Sequence, residues 1–276
     1  MTVNMGANIT PNMAGSLAPK VKSYRIISNQ SIAENVFMLR LHAPDLGETC
    51  SPGTFVEVQL KDRSKILRRP ISIHDWAVDA KELRLIYKVV GQGTKDMSEY
   101  QQGEMLNIIG PLGQGFPLPE PAETSGEKTC LLVGGGLGMP PLYELAKQLF
   151  SRGHQVIALL GFRSRNDVFG VEMLEKFGKV VVTTEDGSCG TAGRVDVKLK
   201  ELGALADVYY ACGPLPLLAC VNAELPELVG YLSFEASMAC GMGACYGCAI
   251  ATRHGLRRVC KDGPVFQAGE VIVGGI

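Results

Sequence analysis

Apolar residues follow two different patterns along the chain. Residues 21–120 contain short β-rich runs, among them FVEVQL, PISIHDW and ELRLIYKVV, and turns with glycine and proline separate these runs. Short strands with frequent turns are typical of a small antiparallel barrel or sandwich. The first pattern therefore predicts an all-β domain over residues 21–120.

Over residues 126–230 the chain alternates between nearly all-apolar runs, such as TCLLVGGG, QVIALLG and DVYYACG, and helix-like segments. In PPLYELAKQLFSRG, one helical face carries four apolar residues: Leu142, Leu145, Ala146 and Leu149. Buried strands that alternate with helices are typical of a parallel α/β sheet. We expect such a domain over residues 126–230, and a linker over the proline-rich residues 116–128.

The two ends of the chain have other compositions. Residues 1–20 carry no positive charge before Lys20 and no continuous apolar run, so they are expected to form a mobile tail and not a signal peptide. Residues 231–276 are rich in glycine and cysteine and end with the strand-like EVIV. This last segment is too small to hold a large core, so something else must stabilise it.

The composition excludes several classes of protein. Hydrophobic residues make up 46% and charged residues 20%, which is the balance of a well-packed globular protein. The 27 basic and 28 acidic residues leave no long-range positive field to attract nucleic acid. No run approaches the ~20 apolar residues of a membrane span, so we expect a cytoplasmic protein. Nine cysteines, an odd number, favour metal-binding or reactive roles over a disulfide framework.

The segment CGMGACYGC carries the most specific motif. Cys240, Cys245 and Cys248 have the C-x4-C-x2-C spacing of a plant-type 2Fe–2S cluster, and Cys260 follows as the fourth ligand. The small spacer residues let the loop wrap closely and point backbone N–H groups at the sulfurs. A structural zinc site is the alternative, although zinc ribbons usually have two C-x-x-C pairs.

Two further motifs predict a dinucleotide site. LLVGGGLGMPP places glycines between a strand and a helix, where backbone can approach a pyrophosphate, and YYACGP lies at the carboxyl edge of another strand. The spacing departs from G-x-G-x-x-G, so a glycine turn that serves only tight packing is the alternative. The residues concerned are Gly134, Gly135, Gly136, Gly138, Cys212, Gly213 and Pro214.

RRPIS, IYKVVGQGT, VGGGLGMPP, YYACGP, CGMGACYGC and VCKDGPVF occur in an order that resembles the electron-transfer subunits of NAD-dependent dihydroorotate dehydrogenase, a family within the ferredoxin reductase superfamily. The resemblance covers residues 21–276 and is most specific in the cysteine loop. It implies FAD in the barrel domain, NAD in the α/β domain and a 2Fe–2S cluster in residues 231–276.

The resemblance also implies which residues hold FAD. They are Arg69, Pro70, Ile71, Ser72, Ile86, Tyr87 and Lys88 around the flavin, with Gly93 and Thr94 at the pyrophosphate. A guanidinium neutralises phosphate, and a hydroxyl bonds a flavin edge atom. Many members of the superfamily have tyrosine where Ile71 stands. Many reductases also end with an aromatic residue over the flavin, whereas this chain continues into the cluster segment.

The four histidines are scattered and pair with no obvious nucleophile, which favours a relay over a substrate-oxidising enzyme. The resemblance implies an FMN-containing dihydroorotate dehydrogenase catalytic partner, joined in a heterotetramer of two subunits of each kind. Electrons would pass from this partner through the cluster and FAD to NAD+. Cys212 is expected near the nicotinamide, with a packing role as the alternative.

Other interpretations of the sequence stay open. Small subunits of NAD-dependent ferredoxin:NADP oxidoreductase or sulfide dehydrogenase share the three-part layout, and in some of them an aspartate replaces one cluster cysteine. A hydrogenase diaphorase subunit is a third electron-transfer candidate. A regulatory nucleotide-binding module with zinc on the cysteines belongs to a different class and would be colourless.

Overall fold

The computed structural model describes residues 19–46 and 50–273, and its first unit is a closed six-stranded barrel. The strands follow the order β1-β2-β5-β4-β3-β6, and every neighbouring pair is antiparallel. Their bounds are β1 Lys20–Ala33, β2 Val36–His42, β3 Phe55–Val58, β4 Arg69–Ala77, β5 Glu82–Lys88 and β6 Met105–Leu112. The predicted antiparallel barrel is confirmed, with one unpredicted helix, α1 (Gln92–Ser98), between β5 and β6.

Alternation along β3 determines what faces each side of the barrel. Val56 and Val58 are fully buried in the barrel interior. Phe55 points to the other face and packs with residues of the C-terminal segment, among them Cys260. Because side chains alternate along a strand, Glu57 shares the outer face with Phe55. The outer face of β3 is therefore covered by the rest of the chain.

The second unit is a seven-stranded sheet in the order β10-β9-β8-β7-β11-β12-β15. All neighbouring pairs are parallel except that of β12 with β15. The strands are β7 Thr129–Gly135, β8 Gln155–Phe162, β9 Lys179–Thr184, β10 Thr191–Ala192, β11 Val208–Cys212, β12 Gly230–Ser233 and β15 Val265–Gln267. The helices are α2 Ala122–Ser125, α3 Met139–Ser151, α4 Val171–Leu174, α5 Asp196–Gly203 and α6 Leu215–Glu224. This confirms the predicted parallel α/β sheet.

The interface between the two units is polar as well as apolar. The four apolar residues predicted on one face of α3 are all fully buried. On the face towards the barrel, Lys147 donates to Asp75 Oδ1 of β4 at 2.6 Å, and Glu144 Oε2 accepts the N–H of Trp76 at 3.4 Å. These contacts fix α3 against β4, so the barrel and the sheet are packed against each other.

Residues 116–128, the predicted linker, lie between the last strand of the barrel and the first strand of the sheet. Phe116 is fully buried, and its ring packs edge-on to Tyr210 of β11, with the centroids 5.7 Å apart. Leu118 is also buried, and α2 occupies part of the segment. The connection is therefore packed against the sheet, which its proline-rich composition did not indicate.

The C-terminal segment forms a separate two-stranded hairpin, β13 (Ala249–Thr252) with β14 (Gly255–Arg258). The predicted strand EVIV is wrong, because Val271 makes only an isolated bridge to Thr252. The sheet is completed instead by β15, which pairs with β12.

Most of the predicted tail, residues 1–20, lies outside the described residues, and β1 already begins at Lys20. Within residues 19–46 and 50–273, none of the helices has both the length and the apolar character needed to cross a membrane.

Candidate functional site

The four cysteines of the predicted cluster loop lie in two pairs that share a network of backbone N–H groups. One pair is Cys240 with Cys245, and the other is Cys248 with Cys260. In the first pair, the N–H groups of Ala244 and Cys245 donate to Cys240 Sγ at 3.3 and 3.4 Å, and the N–H of Gly247 donates to Cys245 Sγ at 3.4 Å. In the second pair, the N–H of Cys260 donates to Cys248 Sγ at 3.4 Å, and the N–H of Gly243 donates to Cys260 Sγ at 3.1 Å. N–H groups aimed at sulfur are what a thiolate ligand requires around it.

The two pairs differ in electrostatics. Burial alone would raise the pKa of Cys240, but hydrogen bonds from the N–H groups of Cys245, Met242 and Ala244 lower it to about 6. Burial and the neighbouring Cys248 raise the pKa of Cys260 to about 12. The surroundings of Cys240 therefore favour a thiolate, whereas Cys260 needs the positive charge of a metal to lose its proton.

Two pairs fit an iron–sulfur cluster better than a single ion. A tetrahedral zinc site needs its ligands around one centre. A 2Fe–2S cluster contains two irons, each of which takes two of the four cysteines. The arrangement therefore favours the cluster over zinc.

Arg258 clamps the cysteine loop from one side. Its Nη1 donates to the carbonyl oxygen of Gly243 at 2.9 Å, and its Nε donates to Asp262 Oδ2 at 3.1 Å. The guanidinium also lies 4.8 Å from the ring centroid of Tyr246, which adopts a positive φ of 60°. Sequence reasoning missed this residue, because nothing in LRRVC distinguishes a clamp from a solvated arginine.

The predicted pyrophosphate residues form a cradle at the start of α1. A Cβ at Gly93 would lie 2.6 Å from Arg69 Nε and 2.7 Å from its Nη2, so the guanidinium lies directly over this glycine. Thr94 Oγ1 accepts the N–H of Val90 at 3.0 Å and shapes the turn. A phosphate bound beside the guanidinium and this glycine turn would receive charge-assisted hydrogen bonds. These residues therefore fit an anionic cofactor.

Three of the predicted flavin residues turn their side chains away from the open surface. Ile71 belongs to the barrel core, and Ile86 packs towards the sheet. Tyr87 is buried inside the barrel, where its O–H donates to Asn29 Oδ1 at 3.0 Å. At these positions only the backbone is available to a bound molecule.

Besides Arg69, three of the predicted flavin residues keep part of their side chains exposed. Pro70 and Ser72 are half-buried and share one face of β4, as alternation requires. Lys88, at the end of β5, places Nζ 3.4 Å from Asp167 Oδ1, beyond the end of β8. This ion pair joins the barrel to the sheet.

The glycine turn after β7 serves packing at most of its positions. A Cβ at Gly138 would lie 1.8 Å from the carbonyl oxygen of Cys212, and the equivalent atoms at Gly134 and Gly135 would meet side chains within 3 Å. Gly136 differs, because its φ is +52° and no heavy atom lies within 4 Å of its Cβ position. Tight packing therefore explains three glycines, and Gly136 alone of the four opens to a ligand.

The motif around Cys212 lies against this turn. Gly213 approaches the backbone of Gly135, where its Cβ would be 3.1 Å from the amide nitrogen, and Pro214 precedes α6. Cys212 is buried at the end of β11, and burial raises the pKa of its thiol to about 12. A neutral, buried thiol is a poor nucleophile or base at neutral pH, so the geometry favours the packing alternative for Cys212.

The barrel carries an anion cradle, the parallel sheet packs against it, and the paired cysteine loop follows the sheet. This arrangement is that of an oxidoreductase of the ferredoxin reductase type with an added iron–sulfur segment. Residues 235–272 match the family model described as the iron-sulfur cluster binding domain of dihydroorotate dehydrogenase B. Solved structures agree with this class. The NADH-dependent reduced ferredoxin-NADP oxidoreductase superposes with a TM-score of 0.81 at 28% identity and covers 95% of this chain and 92% of that one.

Curated relatives identify the family. The dihydroorotate dehydrogenase B (NAD(+)) electron transfer subunit of Lysinibacillus sphaericus (strain C3-41) is 43% identical over 252 residues, which are 90% of this chain and 96% of that protein. The subunit of the same name from Fusobacterium nucleatum subsp. nucleatum is 42% identical over 260 residues, 91% and 98% of the two chains. The chain therefore belongs to the family of dihydroorotate dehydrogenase B electron transfer subunits.

The family assignment confirms the resemblance seen in the sequence. The chain is the electron-transfer subunit of an oxidoreductase. The predicted cofactors, FAD, a 2Fe–2S cluster and NAD, agree with the iron–sulfur domain and the reductase fold.

Proposed function

We propose that this chain receives electrons from an FMN-containing catalytic subunit that oxidises dihydroorotate, and that it delivers them to NAD+. The two subunits would form a heterotetramer with two copies of each. The observation that carries this proposal is the paired cysteine loop in a chain that is 43% identical, over 90% of its length, to a dihydroorotate dehydrogenase B electron transfer subunit.

Cys240, Cys245, Cys248 and Cys260 are the proposed ligands of the cluster. When bound, the cluster carries single electrons, and the flavin joins them into two-electron exchange with NAD. The N–H groups around Cys240 stabilise negative charge on its sulfur. Arg258 holds the loop closed around the ligands through Gly243 and Asp262.

In the barrel, we propose that Arg69, Gly93 and Thr94 bind the pyrophosphate of FAD. The guanidinium of Arg69 supplies the positive charge, and Gly93 leaves the space beside it. Pro70 and Ser72 would border the flavin with their exposed faces. Ile71, Ile86 and Tyr87 would contribute backbone, because their side chains are engaged elsewhere. Lys88, paired with Asp167, would border the flavin where the barrel meets the sheet.

In the sheet, we propose that NAD lies across the carboxyl ends of β7 and β11, the usual ligand position in open α/β sheets. Gly136 offers the open approach, and Gly134, Gly135, Gly138, Gly213 and Pro214 hold the two turns together. Cys212 would fix the shape of the nicotinamide pocket without reacting, because its thiol is buried.

The domain division proposed from the sequence follows these roles: residues 21–120 for FAD, 126–230 for NAD and 231–276 for the cluster. The barrel core supports the first boundary, since most of its members lie between Tyr24 and Ile108. We also propose a cytoplasmic location, because none of the nine cysteines, all within the described residues, forms a disulfide, and this suits a reducing compartment.

The test is orotate formation coupled to NAD+ reduction, measured with the holo-protein, with the catalytic partner and with both together. We expect activity with NAD+ as acceptor only from the pair. NAD+-linked dihydroorotate oxidation by this chain alone, or its absence from the pair, would contradict the proposal. A pull-down that recovers a large flavin and iron–sulfur partner would favour the ferredoxin:NADP oxidoreductase alternative.

A further inference from the structure

Glu57 lies where the proposed flavin strand and the cluster loop meet. It belongs to β3 and stands opposite Pro70 of β4 and Ile109 of β6 in the strand pairing. Only 1% of the residue is exposed. Pro70 belongs to the proposed flavin-binding motif, so the carboxyl group of Glu57 lies beside that motif and is closed off from solvent.

The cluster loop lies directly over this side chain. A Cβ at Gly241 would come within 2.5 Å of both Cγ and Oε1 of Glu57, so the loop backbone rests on the carboxyl group. Gly241 has a φ of +65° and follows the proposed ligand Cys240. The carboxyl group is therefore a direct neighbour of the loop that holds the cluster.

Neither carboxyl oxygen of Glu57 has a hydrogen-bond partner among the described residues. Arg68 is close, but it donates to the backbone oxygen of Glu57 at 3.2 Å and to Asn107 Oδ1 at 2.6 Å. Arg69 donates to the backbone oxygen of Leu67. A buried carboxyl group without donors is costly, and a packed apolar residue in its place would avoid that cost.

Positive charge beside the carboxyl group allows it to be ionised. The guanidinium of Arg68 lies close enough to donate to the backbone oxygen of Glu57 at 3.2 Å, and it opposes the effect of burial, which raises the pKa of Glu57 to about 7. A charge in the protein interior acts on its neighbours far more strongly than a solvated charge does, because the surrounding dielectric is low. The loop at Gly241, which follows the proposed ligand Cys240, is in contact with this carboxyl group.

We propose that Glu57 is an electrostatic positioning residue that lowers the reduction potential of the cluster through the loop at Gly241. A negative charge beside the cluster disfavours an added electron, so an electron that reaches the cluster passes on to the flavin more readily. The inference rests on the proposed ligation by the four cysteines, and it concerns an equilibrium property that is measured without dihydroorotate or the partner.

The experiment is a redox titration of the holo-protein with dithionite at pH 8.5, in which EPR follows the cluster and visible absorbance follows the flavin. We expect Glu57→Gln, which removes the charge and keeps the shape, to raise the cluster potential by at least about 59 mV, a tenfold change in the ratio of reduced to oxidised cluster. Glu57→Asp, which keeps the charge, should stay near the wild type. The matched control is Glu104→Gln, a barrel carboxylate that is ion-paired at the surface with Lys61.

The outcomes separate charge from packing. An unchanged cluster potential in Glu57→Gln with full iron content would overturn the inference, as would equal shifts in Glu57→Asp and Glu57→Gln. Because the carboxyl group has no partner to lose, Glu57→Gln should unfold at the same temperature as the wild type or higher, and loss of the fold or the cluster would also overturn it. Wild-type protein without iron would instead refute the proposed function.

Discussion

The barrel and the cluster segment reach stability in different ways. The barrel buries an interior of its own, from Tyr24 and Ile26 to Ile108, between six closed strands. The cluster segment has no separate interior, because its buried residues Cys248 and Val259 join a core shared with the barrel and the sheet. The cysteine loop itself is held by N–H groups on sulfur and by Arg258.

This difference indicates which of the two regions needs a bound cofactor for its stability. Hydrophobic burial suffices for the barrel, so FAD adds to a structure that already exists. In the loop of residues 240–248, several thiols lie close together, and the pKa of Cys260 is raised to about 12. Metal binding removes those protons and supplies folding free energy at the same time. A substitution in one region should therefore leave cofactor binding in the other region unchanged.

The largest effect is expected from Cys245→Ser. Loss of a ligand should remove the cluster and lower orotate-linked NAD+ reduction by more than about 100-fold, since even the outer partners of metal ligands are worth 10–100-fold. Reduction of FAD by NADH should persist, because the barrel and the sheet are unchanged. Stopped-flow absorbance measures both reactions. Cys189→Ser, outside the loop, is the matched control, and loss of both reactions in Cys245→Ser would show that the segment is structural for the whole chain.

Gly93→Ala tests the barrel without touching the loop. The new methyl group would lie 2.6–2.9 Å from the guanidinium of Arg69 and would force it out of the position in which it is proposed to bind the phosphate. We expect the affinity for FAD to fall by about tenfold or more, or 1.4 kcal/mol, with iron content unchanged. Equilibrium titration by flavin fluorescence gives the affinity. Gly91→Ala is the control, because a Cβ there meets no atom within 4 Å; equal losses in both variants would refute the cradle.

Arg258→Ala should weaken the loop without removing a ligand. The substitution deletes the bonds to Gly243 and Asp262, so we expect iron to be lost to a chelator about tenfold faster. Absorbance of the cluster during chelation measures the rate, and FAD affinity should not change. Arg257→Ala, at the exposed neighbouring position of β14, should behave as the wild type. Equal rates for the two variants would argue against a clamp.

The smallest effect concerns acid stability of the barrel. Burial alone would raise the pKa of Glu82, but hydrogen bonds and charge from Arg40 and Arg84 lower it below 4.5. The ion pairs therefore stabilise the folded chain above pH 4.5, and this contribution is lost as the pH falls further. Glu82→Gln should reduce the free energy of unfolding by about 1 kcal/mol or less at pH 7, with a smaller difference at pH 4. Urea unfolding at both pH values checks this, and a difference that grows in acid would contradict it.

Local pattern was enough for much of the fold. Short β-rich runs with frequent turns predicted the barrel, and the apolar face of α3 predicted its burial. The packing of residues 116–128 was not predicted, because Phe116 contacts Tyr210 far along the chain. The strand EVIV was wrong because β15 pairs with β12 instead. Such contacts depend on three-dimensional proximity, which local periodicity does not encode.

The candidate site also contains residues that the local sequence could predict and residues that it could not. The cysteine spacing is a local signal, and it named the four residues that the loop brings together in two pairs. The side chain of Tyr87 was expected at the flavin but bonds Asn29 inside the barrel. Nothing in FVEVQL distinguishes Glu57 as a site residue, because Gly241, which covers its side chain, belongs to a distant part of the chain.

The central claim is that residues 240–260 hold an iron–sulfur cluster beside an FAD-binding barrel. Metal, acid-labile sulfide and flavin analysis of anaerobically purified wild-type protein tests it most directly. The account predicts about two irons, two sulfides and one FAD per chain, as a 2Fe–2S flavoprotein requires. Zinc in place of iron, or iron without flavin, would contradict it.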